Sequence, residues 1–366
     1  MKLRNFYLPV LSCLATAIGL TSCSDDDYDP YEGGSLVAMP EYRGFILNEG
    51  SYGSNDASIS FFDAAEDTTT SAYNDIFYIQ NGVKLGDTGQ SLIVYDNSLF
   101  VAVYGSSYVA KLNKSGVLQV ETDFSSYGEP RYMAAEDDYL YVTTYGGYVV
   151  KLSTSDLSYI DKVEVGAAPE RIIEEDGKLY VALGYTTDLA TTDNRMAIID
   201  VESFEVEQYV EVMENAQNVV GDGNYIFIQG YGTDWVNTPV YVYNVSTGEA
   251  KNIGYNASFM VEEDDVLYAV YSETDWTTYE TSNTFFSYDP ATETYTDLTS
   301  QVVSQASELA SAGIYSMSVN PYDDSFYITT TDYYSYGTVY HFCCEWNYKS
   351  SFSTWGVNAN SVVVIK

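Results

Sequence analysis

Five polar residues occupy one equivalent position in successive copies of a repeated sequence unit. They are Gln90, Arg131, Glu170, Gln217 and Ser258. Their side chains offer hydrogen-bond donors and acceptors of several kinds, which suits the orientation of a bound ligand rather than a covalent reaction. If the repeats surround a channel, these groups form a ring at its mouth. Solvated channel walls would show the same polar pattern, so both interpretations remain open.

Aromatic residues are concentrated in the corner segments that join predicted strands. The chain holds 38 Tyr, and tyrosine combines a broad apolar ring with a polar hydroxyl, which suits the binding of large amphipathic ligands. The candidate binding residues in the corners are Tyr52, Tyr104, Tyr145, Tyr185, Tyr231, Trp235, Trp276, Tyr333 and Tyr334. The alternative is that tyrosine is abundant because strands favour it, which is the better explanation for strand residues such as Tyr141 and Tyr180.

Signatures of catalysis are missing from the sequence. It contains no G-x-S-x-G, H-E-x-x-H or P-loop motif, and His341 is its single histidine. Carboxylates are so numerous that pairing any two of them as a glycosidase site carries no weight. Cys343 and Cys344 follow closely, but neighbouring residues of a strand point to opposite faces and do not easily share one metal ion. We therefore predict a protein that is not an enzyme and has neither a metal site nor a cofactor.

The candidate residues are carried by a repeated β-hairpin unit, which is clearest in Ala135–Leu152. There an acidic turn leads into an alternating strand, a Tyr-Gly-Gly corner and a second strand. Related hairpins follow the turns at Asp96, Asp176, Gly221, Asp264 and Asp323. The copies recur about every 40 residues, which is typical of propeller blades. Period-2 patterning rich in Val, Ile, Tyr, Phe and Thr excludes helical repeats of similar length.

The two ends of the repeat region complement each other. Strands are predicted at Gly44–Gly50, Ser58–Ala64 and Thr69–Asp75 with no inner strand before them, whereas Asn358–Lys366 resembles an inner strand. Pairing these four segments in one blade removes the open edges of both ends. From residue 43 onwards the sequence therefore predicts an all-β fold. It is a single seven-bladed β-propeller of four-stranded antiparallel blades, with the N- and C-terminal strands sharing one blade.

The N-terminal segment has the pattern of an export signal. Residues 1–22 combine two basic residues with an apolar run and end in Leu-Thr-Ser directly before Cys23. This ending resembles a bacterial lipobox, which implies cleavage before Cys23 and lipidation of that residue. The run Ser24–Asp27 resembles the signal that sends lipoproteins of Bacteroidota to the outer face of the outer membrane, although a plain acidic linker would look the same. Residues 23–42 are predicted to form a flexible lipidated linker.

The acidic composition limits the possible partners. The formal net charge is −38, from 53 Asp and Glu against 15 Lys and Arg. Such a surface repels nucleic-acid phosphates and anionic lipid headgroups. We therefore expect no nucleic-acid partner, and contact with a membrane only through the lipid anchor.

Several short motifs resemble one family. Asn48–Gly50, Gly53–Asn55 and Gly86–Gly89, together with the hairpins, are similar to the YncE-like surface propeller lipoproteins of Bacteroidota, over about Arg43–Lys366. That family includes BtuG-type receptors, which capture cobalamin and pass it to a TonB-dependent outer-membrane transporter. The resemblance therefore implies a corrinoid ligand and a TonB-dependent transporter as partner. The alternative is a propeller scaffold that binds a protein partner or a glycan at the cell surface.

Overall fold

A computed structural model describes residues 29–186, 188–233, 236–275, 277–278 and 280–366 of the chain. Within these residues the strands form seven antiparallel sheets. The innermost strand of each sheet contacts the innermost strands of its two neighbours, so the sheets close into a ring. The predicted seven-bladed β-propeller is confirmed. In the described ranges, every helix is too short or too polar to cross a membrane.

Six blades contain four strands each, which follow one another in chain order from the central channel outwards. Blades 2, 3 and 4 comprise β3 (Gly89–Tyr95), β4 (Ser98–Val103), β5 (Tyr108–Asn113), β6 (Leu118–Asp123), β7 (Pro130–Glu136), β8 (Tyr139–Thr144), β9 (Tyr148–Ser153), β10 (Tyr159–Glu164), β11 (Ala168–Glu175), β12 (Lys178–Tyr185), β13 (Arg195–Asp200) and β14 (Glu205–Glu211). Blades 5, 6 and 7 comprise β15 (Ala216–Asp222), β16 (Tyr225–Gly230), β17 (Pro239–Asn244), β18 (Glu249–Asn256), β19 (Phe259–Glu263), β20 (Val266–Asp275), β21 (Glu280–Asp289), β22 (Thr294–Asp297), β23 (Gly313–Asn320), β24 (Ser325–Thr331), β25 (Thr338–Phe342) and β26 (Tyr348–Ser353).

Blade 1 is built from both ends of the propeller, as predicted. It contains β1 (Arg43–Asn48), β2 (Ser58–Asp63) and β27 (Ala359–Ile365). The C-terminal strand pairs antiparallel with β1, for example Phe45 opposite Val363, and forms the inner strand of the blade. Joining the ends in one sheet satisfies the backbone groups that two open edges would leave unpaired.

The strand predicted at Thr69–Asp75 is wrong. The chain forms a 3₁₀-helix at Ser71–Tyr73 and then α1 (Ile76–Asn81). The Asp75 side chain caps α1 by accepting a hydrogen bond of 3.1 Å from the backbone N–H of its third residue. The helix contacts β2 and buries Phe77 in the core of blade 1. A short capped helix therefore covers the outer part of this three-stranded blade in place of a fourth strand.

Two-residue turns join the inner strand to the second strand in four blades. Both turn residues have positive φ in each: Asp96 and Asn97, Asp137 and Asp138, Asp176 and Gly177, Asp264 and Asp265. This backbone geometry belongs to type I′ turns, which favour Asp, Asn and Gly. The acidic dipeptides of the repeats thus have a local structural cause. Because all inner strands run in the same direction, these turns collect at the end of the channel opposite the ring residues.

A helical insertion precedes β23, where the sequence predicts a helix at Ser300–Ala312. It consists of α2 (Thr299–Gln305) and a 3₁₀-helix (Ser307–Ala310). The buried Asn283 side chain donates hydrogen bonds of 2.9 and 2.8 Å to two backbone carbonyls near the end of this insertion. The insertion is therefore fastened to β21.

The residues just before β1 pack on the propeller. They include a 3₁₀-helix (Glu32–Gly34), and the buried guanidinium of Arg43 binds the Glu32 carboxylate at 2.6 Å. This part of the predicted linker therefore makes specific contacts. Residues 1–28, including Cys23, lie outside the described residues.

The single histidine lies between blade 7 and blade 1. His341 is 3% exposed. Its Nδ1 is 2.7 Å from Asp67 Oδ2, and its Nε2 is 2.9 Å from Ser325 Oγ. These contacts connect β24 and β25 to the segment after β2, which gives His341 a role in holding two blades together.

Candidate ligand-binding site at the channel mouth

The polar ring extends to all seven blades. In or directly before each inner strand, the ring residue lies two positions before a residue that pairs with the second strand, such as Leu92 opposite Val101. The seven ring residues are Gln90, Arg131, Glu170, Gln217, Ser258, Tyr315 and Asn360. The sequence prediction missed Tyr315 and Asn360 because the helical insertion and the chain end interrupt the repeat period.

A cavity of about 310 Å³ lies within the ring. Of the residues predicted from the sequence, its walls include Gln90, Gln217, Tyr231, Ser258 and Tyr333. Further wall residues that the prediction did not single out are Glu49, Tyr132, Arg171, Asn218, Gln229, Tyr315 and Asn360. Burial raises the pKa of Tyr231 to about 12. This phenol therefore stays neutral near pH 7 and retains its hydrogen-bond donor.

Arg131 is held by carboxylate and amide partners at one side of the mouth. Its Nε and Nη2 donate to Glu170 Oε2 at 2.9 and 2.7 Å, and its Nη1 donates to Gln90 Oε1 at 2.6 Å. The Tyr145 hydroxyl donates to Glu170 Oε1 at 2.7 Å. Burial alone would lower the pKa of Arg131, but the adjacent Glu170 carboxylate, together with the nearby Tyr132 and Tyr145, more than offsets this and raises it. The structure thus unites four predicted site residues in one charge-balanced cluster.

Tyrosine rings surround this cluster and continue towards solvent. The guanidinium carbon of Arg131 lies 4.5 Å from the ring centroid of Tyr145 and 5.2 Å from that of Tyr104. Tyr104 in turn contacts Tyr145 edge-on at 5.7 Å and Tyr52 at 6.4 Å, measured between centroids. Tyr52 is 79% exposed. These rings form a continuous aromatic surface from the corner of blade 1 to the ring of polar residues.

A second cluster lies where blades 7 and 1 meet. The Tyr315 hydroxyl donates to Glu49 Oε2 at 2.6 Å. Burial raises the pKa of Glu49, against the lowering effects of the Tyr315 hydrogen bond and of the Arg131 charge. Tyr333 packs edge-on against Tyr315 with centroids 6.1 Å apart. The Asn360 amide donates to two backbone carbonyls at 2.7 and 3.2 Å, which fixes its position in the wall.

The remaining predicted residues lie outside these clusters. Tyr185 is at the end of β12, where its backbone pairs with β11, and it is not part of the cavity wall. Tyr334 is 91% exposed at the corner of blade 7. Trp235 and Trp276 lie outside the described residues.

The groups at the mouth are suited to binding. His341 is buried between blades and is not part of the cavity wall. Among the described residues, no group of three His, Cys, Asp or Glu side chains is arranged to hold a metal ion. Phenol, amide and guanidinium groups around a cavity can orient a ligand by hydrogen bonds and ring contacts.

Comparison with known proteins identifies the fold. No family model matches the chain, and no curated protein matches it in sequence. A Bacteroides fragilis structure provisionally assigned as a 6-phosphogluconolactonase has a TM-score of 0.61 and 10% identity, over 89% of this chain and 98% of that chain. Kuenenia stuttgartiensis hydrazine synthase has a TM-score of 0.57 and 14% identity, over 70% and 77%.

A third similar structure is apo AztD from Citrobacter koseri, with a TM-score of 0.50 and 9% identity, over 88% of this chain and 98% of that chain. At such low identities, similarity indicates shared architecture and not shared activity. The resemblance to YncE-like lipoproteins therefore stays a prediction. What the chain shares with these known structures is the β-propeller fold.

Proposed function

We propose that this protein is a non-enzymatic capture protein that binds its ligand at the channel mouth. The observation that carries this proposal is the convergence of hydrogen-bonding side chains from all seven blades on one cavity, beside a continuous tyrosine surface. Convergent polar groups give orientation, and aromatic rings give contact area at low entropic cost.

The proposed ligand is a corrinoid such as cobalamin, the class implied by the family resemblance. A cavity of about 310 Å³ is too small for an entire corrinoid, so the macrocycle would rest across the mouth on exposed rings such as Tyr52 and Tyr333. The amide side chains at the edge of the macrocycle can form hydrogen bonds with the amide and hydroxyl groups of the protein's ring residues.

The proposed cellular role is delivery of this ligand to a TonB-dependent transporter in the outer membrane. Its support is the lipobox-like segment before Cys23 and the acidic run after it. Replacement of Cys23 by Ala should release the protein from the membrane fraction, and retention of the variant there would contradict the anchor.

Calorimetry with the full-length protein in mild detergent tests the ligand class. We expect saturable binding of cobalamin and cobinamide at micromolar concentration. Tyr333→Ala should weaken binding about tenfold, because it removes an aromatic contact from the cavity wall. The control is Tyr78→Ala, which changes a comparably exposed tyrosine on α1, outside the cavity wall. Absence of corrinoid binding, together with binding of a polysaccharide or a protein partner, would contradict the proposal.

A further inference from the structure

Arg171 is the second arginine of the channel wall, and its surroundings differ from those of Arg131. It follows the ring residue Glu170 in β11 and lines the cavity. Its guanidinium carbon lies 4.7 Å from the ring centroid of Tyr132, which therefore covers one face of the group. Within the described residues, Arg171 forms no ion pair and donates no hydrogen bond. Its five N–H donors are thus available to a ligand in the cavity.

The other arginines in the described part of the chain are all paired. Arg43, Arg131 and Arg195 bind the carboxylates of Glu32, Glu170 and Asp193 at 2.6, 2.7 and 2.6 Å. The chain carries 53 acidic residues and a net charge of −38. An unpaired guanidinium in a cavity of so acidic a protein indicates that the partner comes from outside the chain.

The neighbouring wall has polar groups that a ligand could satisfy. Asn218 and Gln229 line the same cavity from blade 5, next to the blade of Arg171. The Asn218 Oδ1 atom is buried and, within the described residues, has no hydrogen-bond partner. A buried polar atom without a partner is costly, so a bound group that donates to it would be favoured.

The charge distribution across the channel favours one orientation of the ligand. Arg171 belongs to blade 4, whereas Glu49 lies where blades 7 and 1 meet, on the opposite side of the ring. A negatively charged group is attracted to the first side and repelled by the second. Arg131 does not compete for it, because its guanidinium already binds Glu170 and Gln90.

We infer that Arg171 is the anion-binding residue of this site, and that the ligand places a phosphate or carboxylate group in the channel against its guanidinium. Arginine binds such groups through paired N–H···O hydrogen bonds. This inference rests on the proposed function. For a corrinoid, the group is the phosphodiester of the nucleotide arm, which cobalamin has and cobinamide lacks.

The first experiment compares the two corrinoids on the full-length protein. Arg171→Gln should weaken cobalamin binding about tenfold, since a charged hydrogen-bonding partner is lost, and should leave cobinamide binding unchanged. Arg171→Lys should give an intermediate loss, because it keeps the charge and removes the paired geometry. Equal effects of Arg171→Gln on both corrinoids, or none on either, would overturn the inference.

A matched control is Lys162→Gln. Lys162 Nζ also lies over a tyrosine ring, 3.8 Å from the centroid of Tyr148, on the outer strand β10. The substitution changes the net charge by the same amount outside the cavity wall, and should alter the binding of neither corrinoid. Equal weakening of cobalamin binding by Lys162→Gln and Arg171→Gln would assign the effect to overall charge and overturn the inference.

The second experiment is independent of corrinoids. Inorganic phosphate and acetate are titrated separately into ¹⁵N-labelled protein, and the arginine Nε–H resonances are followed. We expect a saturable shift of one resonance that is absent from the spectrum of Arg171→Gln. The anion that binds more tightly indicates whether the ligand carries a phosphate or a carboxylate group. If corrinoids fail to bind but this shift occurs, the corrinoid proposal falls and the role of Arg171 stands. No shift with either anion would overturn the inference.

Discussion

The two ends of the channel differ in the groups that stabilise their buried carboxylates. At the mouth, the buried carboxylates have side-chain donors, since Arg131 binds Glu170 and Tyr315 binds Glu49. At the other end, where the acidic turns collect, Glu262 accepts its hydrogen bond from a backbone N–H, at 2.6 Å. Burial, followed by the nearby carboxylates of Asp222 and other residues, raises the pKa of Glu262 to about 7.

This difference indicates which end can admit an anionic ligand. At the mouth, the Glu170 carboxylate is neutralised by Arg131, the Glu49 carboxylate accepts a hydrogen bond from the neutral Tyr315 hydroxyl, and the unpaired guanidinium of Arg171 adds attraction for an anion. At the opposite end, carboxylates such as Glu175 and Asp222 face one another, and burial and this repulsion raise the pKa of Glu175. The negative charges of these carboxylates repel an incoming anion. The two ends thus differ in the charges they present although the same strands build both.

The largest expected effect comes from unpairing the charge at the mouth. Arg131→Met should lower the free energy of unfolding by about 3–5 kcal/mol, because it leaves the Glu170 carboxylate, 1% exposed, without its cation. Arg171→Met, which breaks no ion pair, should cost no more than about 1 kcal/mol. Urea unfolding at pH 7 measures both.

A double variant sharpens this result. Adding Glu170→Gln to Arg131→Met should recover part of the lost stability, because no unpaired charge then remains buried. Equal costs for Arg131→Met and Arg171→Met would contradict the contrast between the two arginines.

An intermediate effect is expected at the acidic end, and it depends on pH. The folded state raises the pKa of Glu262 from 4.5 to about 7, so it favours the protonated carboxyl. The contribution of Glu262 to the free energy of unfolding is therefore fully present below about pH 4.5 and is lost as the pH rises to about 7. Glu262→Gln stays neutral and still offers an oxygen to the Asp265 N–H. It should exceed the wild type in stability by about 1 kcal/mol at pH 8.

Urea unfolding between pH 4.5 and pH 8 checks this prediction. The gain from Glu262→Gln should vanish towards pH 4.5, where the wild-type carboxyl is protonated. The control is Glu249→Gln on the outer strand β18, an exposed site where no pH-dependent gain is expected. A gain that is the same at both pH values would contradict the proposed cause.

The smallest effect on stability is expected at the exposed aromatic corners of the mouth. Tyr334→Ala should change the free energy of unfolding by less than about 0.5 kcal/mol, because the side chain is 91% exposed. Tyr141, fully buried in the core, provides the contrast: Tyr141→Ala should cost about 3–5 kcal/mol. A clear loss of stability in Tyr334→Ala would mean that this corner has a structural role.

Much of the fold could be predicted because its determinants are local and repeated. The alternating strands, the acidic type I′ turns and the period of about 40 residues recur in each blade, and each follows from backbone geometry over a few residues. The closure of blade 1 followed from the need to pair two open edges. The strand predicted at Thr69–Asp75 failed because its β pattern is weak: Ser71–Tyr73 form a 3₁₀-helix, and Asp75 caps the helix α1 that follows and buries Phe77.

The sequence alone also determined five of the seven ring positions, since any repeat that forms a blade brings them to the same height in the channel. Only the tertiary structure decided which of the charged side chains form ion pairs. Arg131 and Arg171 both lie at the start of inner strands, yet one binds Glu170 across 39 positions of sequence and the other lies over Tyr132 with its donors free of carboxylates. Pairing depends on which side chains meet between blades, and those distances are set by the closed ring.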